Sequence, residues 1–209
     1  MSKLLLVRHG NTKLNSHERF WGQTDVELGV DGIEQVERLR DRLASFKIDA
    51  IYASNLFRTR VTAEIIGARQ KSDIVICAEL GEINFGYIEG LTFEEISQRH
   101  PELAVRLADW SISPEFPGGE SFKDFNKRVR KFIPKLESHA PEETILIVAH
   151  AGSLRLLICN LMKIYVRFWR QMRLELASLS ILETHPHGAT LMRLNDISHL
   201  ETQEINRKL

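Results

Sequence analysis

The sequence predicts an α/β fold in which helices cover both faces of a mostly parallel sheet. Two aliphatic runs, residues 4–7 and 145–149, are typical of strands buried on both faces. Between these runs, segments with strand and helix patterns alternate, which favours parallel pairing through right-handed crossovers. No linker rich in proline, glycine and serine divides the 209 residues, so we expect one domain over 1–209.

Periodicity and turn chemistry place the individual elements. Asp31 and Glu34 have the spacing of a capping box, so a helix is expected to start at Asp31. Thr92 and Ser121 are the expected N-caps of two later helices, and Pro134 should kink or shorten the second one. The predicted strands cover 3–8, 49–54, 74–77, 144–149, 177–182 and 190–194, and the predicted helices begin near 31, 55, 92, 102, 121 and 152. The mostly polar residues 195–209 are expected to form a peripheral tail.

Composition argues against several classes of function. Lys plus Arg and Asp plus Glu number 28 each, which disfavours a general binder of nucleic acids or acidic membranes. Cys77 and Cys159 lie in apolar segments and should be buried thiols, and no metal site or cofactor is expected. The apolar runs are too short to span a membrane, and the first strand follows Met1 too closely for a cleavable leader. We therefore expect a cytoplasmic protein.

Polar residues follow the predicted strands at their carboxyl ends. Arg8 and His9 follow the first aliphatic run, and His150 follows the second. Arg58 opens a helix after the next strand, and Glu82 lies in a loop after the third. Open α/β sheets bind ligands at this edge, so these side chains should share one crevice. Paired arginines can hold the oxygens of a phosphate, and helix N-termini add N–H donors, so a phosphorylated ligand is expected.

These residues have the chemistry needed for phosphoryl transfer. A neutral imidazole can attack phosphorus and form a phosphohistidine, which splits one hard displacement into two easier ones. Glu82, if protonated beside the bound phosphate, could protonate the leaving oxygen and then activate water. The arginines would supply the charge stabilisation that a metal ion supplies in other enzymes. The pattern therefore indicates phosphoryl transfer without a metal.

Ordinary structural explanations also exist for each residue. A histidine at a strand end can be satisfied by a backbone carbonyl, Arg58 can pair with an acidic neighbour, and Glu82 can be a solvated carboxylate. Their convergence at one edge favours a functional interpretation. The basic, aromatic segment 163–173 can contact a partner or simply cover the end of the sheet. The aromatic residues that can either line a pocket or pack in the core are Trp21, Phe85 and Trp110.

Five ordered blocks between residues 3 and 155 resemble the motifs of the histidine phosphatase superfamily, also called the phosphoglycerate mutase-like family. The blocks are Val7-Arg8-His9-Gly10-Asn11-Thr12, residues 52–58 with Thr62-Ala63, Leu80-Gly81-Glu82 with Gly86 and Glu89-Gly90, residues 117–121, and Val148-Ala149-His150. The resemblance implies a three-layer α/β/α sandwich. It also implies that His9 is the nucleophile, that Arg8 and Arg58 bind the phosphate, that His150 completes this site, and that Glu82 donates a proton.

The resemblance adds candidate substrate-binding residues. Asn15 matches a further phosphate-contacting asparagine, and Gly22 lies where a loop of the family approaches the substrate. Gln23 in the same loop and Ala151 beside His150 are further candidates. Asn11 replaces the usual Glu or Gln after the Arg-His-Gly motif, and residues 86–90 lack a common tryptophan. Both departures bear on substrate preference more than on activity.

Within the family, the sequence favours hydrolysis over mutase activity. Ile83 and Phe93 stand where the glycolytic mutases carry an arginine and a lysine. The segments 89–96 and 117–121 are most similar to the α-ribazole phosphatase branch and also occur in broad-specificity phosphatases. The expected function is metal-independent hydrolysis of a small-molecule phosphomonoester, with α-ribazole 5′-phosphate as one candidate substrate. A phosphoglycerate mutase and a non-catalytic phosphoester-binding domain remain alternatives, and no oligomeric state follows.

Overall fold

A computed structural model of the chain describes residues 1–14, 19–109 and 115–200. Its six strands form one sheet in the order β3-β2-β4-β1-β5-β6. The strands β3, β2, β4 and β1 pair in parallel, whereas β5 is antiparallel to β1 and β6 is antiparallel to β5. The strand bounds are β1 Lys3–Arg8, β2 Ala50–Ala53, β3 Ile74–Ile76, β4 Thr144–Ala149, β5 Leu179–His185 and β6 Gly188–Asp196. The predicted mostly parallel sheet is confirmed.

Seven α-helices lie in the described ranges, and none of them is long and apolar enough to cross a bilayer. Thr92 and Ser121 cap two of them as predicted, because each hydroxyl accepts the backbone N–H three residues later. Pro134 separates the last two helices before β4, as predicted for a residue without a backbone N–H. The helices are α1 Val30–Leu43, α2 Phe57–Gly67, α3 Phe93–Arg99, α4 Pro101–Ala108, α5 Phe122–Arg130, α6 Ile133–Glu137 and α7 Ala151–Leu161.

The structure corrects two local predictions, the capping box at the start of α1 and the tail from residue 195. Gly29 is the N-cap of α1 and no side chain caps this helix, so Asp31 lies in the first turn and does not form a capping box with Glu34. Strand β6 continues to Asp196, whose carboxylate accepts hydrogen bonds of 2.8 and 2.6 Å from the Arg42 guanidinium. The predicted tail therefore starts inside the sheet, and residues 201–209 lie outside the described ranges.

The two faces of the sheet carry separate apolar cores. Leu4 and Leu6 of β1 point to one face, where they join a cluster that includes residues of α5 and α7. Leu5 and Val7 point to the other face, where they join residues of α1 and α2. The side chains of these four strand residues are at most 1% exposed. Because successive strand residues alternate between faces, helices must cover both, and the three-layer α/β/α sandwich is confirmed.

The chain that leaves β1 lies against the backbone of α1. A Cβ atom at Gly32 would overlap the carbonyl oxygen of Asn11. A Cβ atom at Gly10 would lie 2.8 Å from a methyl carbon of Val36. Two glycines therefore allow α1 to approach the turn that directly follows His9.

We predict that Gly32→Ala destabilises the protein by about 1–3 kcal/mol, because the overlap with backbone outweighs the better helix propensity of alanine. The free energy of unfolding in urea measures this change. Glu34→Ala serves as the control, since Glu34 is exposed on the same helix and should change stability by less than about 0.5 kcal/mol. Equal stability of Gly32→Ala and the native protein would contradict the close approach.

Candidate active site

The pairing of β1 with β4 places two histidines side by side. Arg8 is in register with Ala149, so His9 and His150 follow neighbouring strands at the same level. The backbone N–H of His9 donates to the Ala149 carbonyl at 3.1 Å, and the two imidazole centroids are 5.1 Å apart. His9 is 6% exposed and His150 is 1% exposed. The crevice predicted at the carboxyl ends of the strands therefore brings these rings together.

The hydrogen bond of His9 fixes which ring nitrogen is free. Nδ1 lies 2.8 Å from the carbonyl oxygen of Gly10. A carbonyl can only accept, so Nδ1 carries the hydrogen and Nε2 of the neutral ring carries the lone pair. Burial, followed by the positive charges of Arg58 and Arg8, holds the pKa of His9 well below its usual value. The site thus contains a neutral imidazole with a free nitrogen.

His150 lies behind His9. Its Nε2 forms a 2.9 Å hydrogen bond with the Ser54 hydroxyl, and its buried Nδ1 has no partner in the described part of the chain. Burial, followed by the charge of Arg58, lowers the pKa of His150 well below its usual value. His150 contacts the ring of His9 and does not itself line the cavity described below. Its position suits it to hold the ring of His9.

Two arginines, the buried Arg58 and the half-buried Arg8, flank these rings, and backbone carbonyls hold them. Arg8 donates from Nη1 to the Leu174 carbonyl at 2.6 Å, and burial lowers its pKa to about 10, so it stays protonated at neutral pH. Arg58 donates from Nη1 to the Thr24 carbonyl at 2.8 Å and from Nη2 to the Gly22 carbonyl at 2.7 Å. Among the described residues, neither guanidinium has a carboxylate at ion-pair distance. Their charges therefore remain available to an anion.

Glu82 lies on the N-terminus of α7. One carboxylate oxygen accepts the Gly152 N–H at 2.9 Å, and the other accepts the Ile83 N–H at 3.0 Å. A Cβ atom at Gly152 would overlap this carboxylate, so a larger residue there would displace the Glu82 side chain. Arg128 of α5 donates to the Glu82 carbonyl at 3.0 Å and forms an ion pair with Glu120. The sequence pattern did not indicate this brace on the Glu82 loop.

A cavity of about 710 Å³ lies at the site. Of the residues predicted to be catalytic, His9, Glu82 and both arginines line it. The side chains that add to its wall include Thr12, Arg19, Phe20, Trp21, Phe85, Phe93, Ala151, Arg155 and Trp169. The site can therefore hold an anion against His9 and an apolar or aromatic group above it.

The predicted substrate-binding residues divide into two groups. Ala151 lines the cavity as proposed. Gly22 and Gln23 do not line it: Gly22 holds Arg58 through its carbonyl, and the Gln23 side chain donates to the Glu82 carbonyl. Asn15 lies outside the described residues.

Sequence reasoning missed one basic residue of the cavity and left the aromatic ones open. Arg155 lies one turn along α7 from Ala151, a spacing that could have identified it once α7 was placed at the site. Trp21 and Phe85 do line the cavity, while Phe85 also packs edge-on against Phe116. Trp169 shows that the segment 163–173 reaches the cavity, and Trp110 lies outside the described ranges.

Known proteins resemble this chain in sequence and in fold. The bifunctional protein of Mycobacterium tuberculosis is 37% identical over 195 residues, which cover 92% of this chain and 53% of that protein. The chain thus spans about half the length of this relative. Phosphoserine phosphatase 1 of Hydrogenobacter thermophilus is 29% identical, with 96% of this chain and 95% of the relative covered.

A solved structure agrees over nearly the whole chain. The α-ribazole phosphatase of Shigella flexneri is 30% identical and superimposes with a TM-score of 0.86, covering 93% of this chain and 96% of that one. The family model for the histidine phosphatase superfamily, branch 1, matches residues 4–197. With this match and this fold, the chain belongs to the histidine phosphatase superfamily.

Proposed function

We propose that the protein hydrolyses phosphomonoesters through a phosphohistidine formed at His9. One observation carries the proposal: the neutral ring of His9, with its Nε2 free, lies in a cavity beside two arginines that have no carboxylate partner among the described residues. A phosphate held by Arg8 and Arg58 would present phosphorus to this nitrogen. The superfamily includes both phosphatases and mutases, and apolar Ile83 and Phe93 on the cavity wall support hydrolysis.

The reaction proceeds in two steps, formation of the phosphohistidine and its hydrolysis. First, Nε2 of His9 attacks phosphorus, the bond from phosphorus to the ester oxygen breaks, and Glu82 transfers its proton to the departing alcohol. Then a water molecule attacks the phosphohistidine, Glu82 takes a proton from that water, and the bond between phosphorus and nitrogen breaks to release phosphate. These two steps require Glu82 to be protonated when the ester binds. Arg8 and Arg58 stabilise the charge on the phosphoryl oxygens in both steps without a metal ion.

The wall of the cavity favours a leaving group with a flat, apolar body. Aromatic side chains line the cavity and include Phe93, which is 46% exposed. Such rings stack well on flat groups. This wall supports α-ribazole 5′-phosphate as a substrate, in line with the similarity to the α-ribazole phosphatase of Shigella flexneri.

A cytoplasmic location and the absence of nucleic-acid and membrane partners remain predictions from the sequence.

Arg155 favours phosphoserine as a second candidate substrate. Within the described part of the chain, its guanidinium donates only from Nε, to the Met172 carbonyl at 2.7 Å. Its Nη atoms can therefore donate hydrogen bonds to the carboxylate of a leaving group. The phosphoserine phosphatase of Hydrogenobacter thermophilus is a relative over nearly the full length of both chains.

The first prediction from the proposed function concerns turnover and its nucleophile. The native protein should hydrolyse phenyl phosphate in excess chelator, and His9→Ala should lower kcat/KM by ~1,000-fold or more. A radiolabel on the native protein that is stable in base and lost in acid, and that is absent from His9→Ala, would identify the phosphohistidine. Equal activity of the two proteins would remove His9 from the mechanism, and strict dependence on added metal would contradict the role of the arginines. Inactivity of both would favour a non-catalytic binding domain.

The second prediction concerns the protonation of His9. Because its folded-state pKa is lowered, the neutral ring should persist as the pH falls from ~8 to ~5.5, through the range where an ordinary histidine becomes charged. Nitrogen NMR shifts of the imidazole in the ligand-free protein report this state, with His9→Ala used to assign the signal. A titration midpoint at the ordinary value for histidine would show that burial and the arginines do not keep the ring neutral.

The third prediction separates the two substrate classes. If the leaving group is recognised by the aromatic wall, kcat/KM for α-ribazole 5′-phosphate should exceed that for phosphoserine. If Arg155 binds a carboxylate, Arg155→Met should lower kcat/KM for phosphoserine by ~10-fold or more, with less than a ~2-fold change for phenyl phosphate. Equal losses on both substrates would place Arg155 with the phosphate-binding residues instead.

A further inference from the structure

The carboxylate of Glu89 is surrounded by donors from the loop that precedes α1. Its Oε2 accepts the N–H of Gly22 at 3.0 Å, the N–H of Thr24 at 3.3 Å and the hydroxyl of Thr24 at 2.7 Å. Its Oε1 accepts the N–H of Gln23 at 2.9 Å and the N–H of Phe85 at 3.1 Å. No ion pair to Glu89 occurs among the described residues, so these five hydrogen bonds are the direct contacts that hold its carboxylate.

The same loop residues hold Arg58 through their carbonyl groups. The carbonyl of Gly22 accepts from Arg58, and the N–H of the same peptide group, which belongs to Gln23, donates to Glu89, so this peptide group lies between the carboxylate and the guanidinium. Thr24 also contacts both groups, since its N–H and hydroxyl donate to Glu89 and its carbonyl accepts from Arg58. A carboxylate that polarises the peptide group between Gly22 and Gln23 strengthens its carbonyl as an acceptor. Gly22 must be glycine, because a Cβ atom there would overlap both the Ile83 carbonyl and the Glu89 carboxylate.

The loop also contacts the backbone beside the candidate acid. The Gln23 side chain donates to the Glu82 carbonyl, and the Gln23 N–H donates to Glu89. Phe85, three residues after Glu82, donates its N–H to the same carboxylate. Glu89 thus connects the segment that orients Arg58 with the segment that carries Glu82.

We propose that Glu89 is a positioning residue that sets the orientation of Arg58 toward the substrate phosphate through the carbonyls of Gly22 and Thr24. The proposal rests on the assignment of Arg58 to phosphate binding in the proposed function. Glu89 does not line the cavity, so its effect on a bound phosphate is expected to act through Arg58. Glutamine at position 89 would keep the size of the side chain but would direct its amide N–H groups at the N–H groups that now donate to the carboxylate. The loop that precedes α1 would then lose these hydrogen bonds.

The test is a double-mutant cycle between Glu89→Gln and Arg58→Ala. Calorimetric titration with inorganic phosphate gives the binding constant, and phenyl phosphate gives kcat and KM separately. Glu89→Gln should weaken phosphate binding by ~10-fold or more and lower kcat/KM by up to ~100-fold. In the Arg58→Ala background, the same substitution should cost less than ~3-fold, because its effect acts through Arg58.

Two further variants separate positioning from general stability. Glu89→Asp keeps the charge and should recover part of the phosphate affinity, and it replaces Glu89→Gln in the cycle if that protein does not fold. Glu79→Gln is the matched control: it removes a partly buried carboxylate paired with Lys135 outside the cavity, and should leave phosphate binding within ~2-fold. Comparison of the melting temperatures of all variants shows whether a loss of phosphate binding accompanies a loss of stability.

Two results would overturn the proposal: unchanged phosphate affinity in Glu89→Gln, or losses that multiply fully with those of Arg58→Ala. A native protein that binds phosphate but does not turn over phenyl phosphate would refute the proposed hydrolysis, and the binding cycle would still decide the role of Glu89. A native protein that binds no phosphate would overturn both.

Discussion

The parallel pairing of β1 with β4 is the contact on which the rest of the structure depends. Leu5 opposite Leu146 and Val7 opposite Val148 are fully buried within one core. This pairing fixes the register, and a shift by one residue would move one strand end by ~3.3 Å relative to the other. Such a shift would separate His9 from its neighbouring histidine. The hydrophobic core and the geometry of the site are therefore set by the same interaction.

Backbone carbonyls orient the arginines of the site without neutralising them. Carboxylates in those places would cancel the positive charge and weaken the attraction for a phosphate dianion. The unneutralised charges of Arg8 and Arg58 also lower the pKa of His9, so the same arrangement favours an anionic ligand and a neutral nucleophile. Glu89 supports this arrangement from outside the cavity, because its own charge is spread over peptide N–H groups rather than paired with an arginine.

Local chemistry explains which elements the sequence predicted well. Thr92 and Ser121 cap helices because their hydroxyls meet an N–H three residues away, and this contact needs no other part of the chain. Asp31 and Glu34 have similar spacing, yet α1 starts at Val30 with Gly29 as its N-cap, where the chain is extended and donates an N–H to the Asn11 carbonyl. A tertiary contact overrode the local pattern there. The end of β6 was missed for the same reason, since Arg42 holds Asp196.

The sequence by itself determined the fold class and the residues at the strand ends. Short stretches of sequence show both the apolar runs of strands buried on two faces and the polar residues that follow these runs. Only the tertiary structure decided that Nε2 of His9 is the free nitrogen, that His150 lies behind it, and that Gly22 and Gln23 hold other site residues instead of lining the cavity. It also decided that Arg155 reaches the cavity. The free nitrogen of His9 depends on the backbone conformation at Gly10, and the other features depend on distances between segments far apart in the chain.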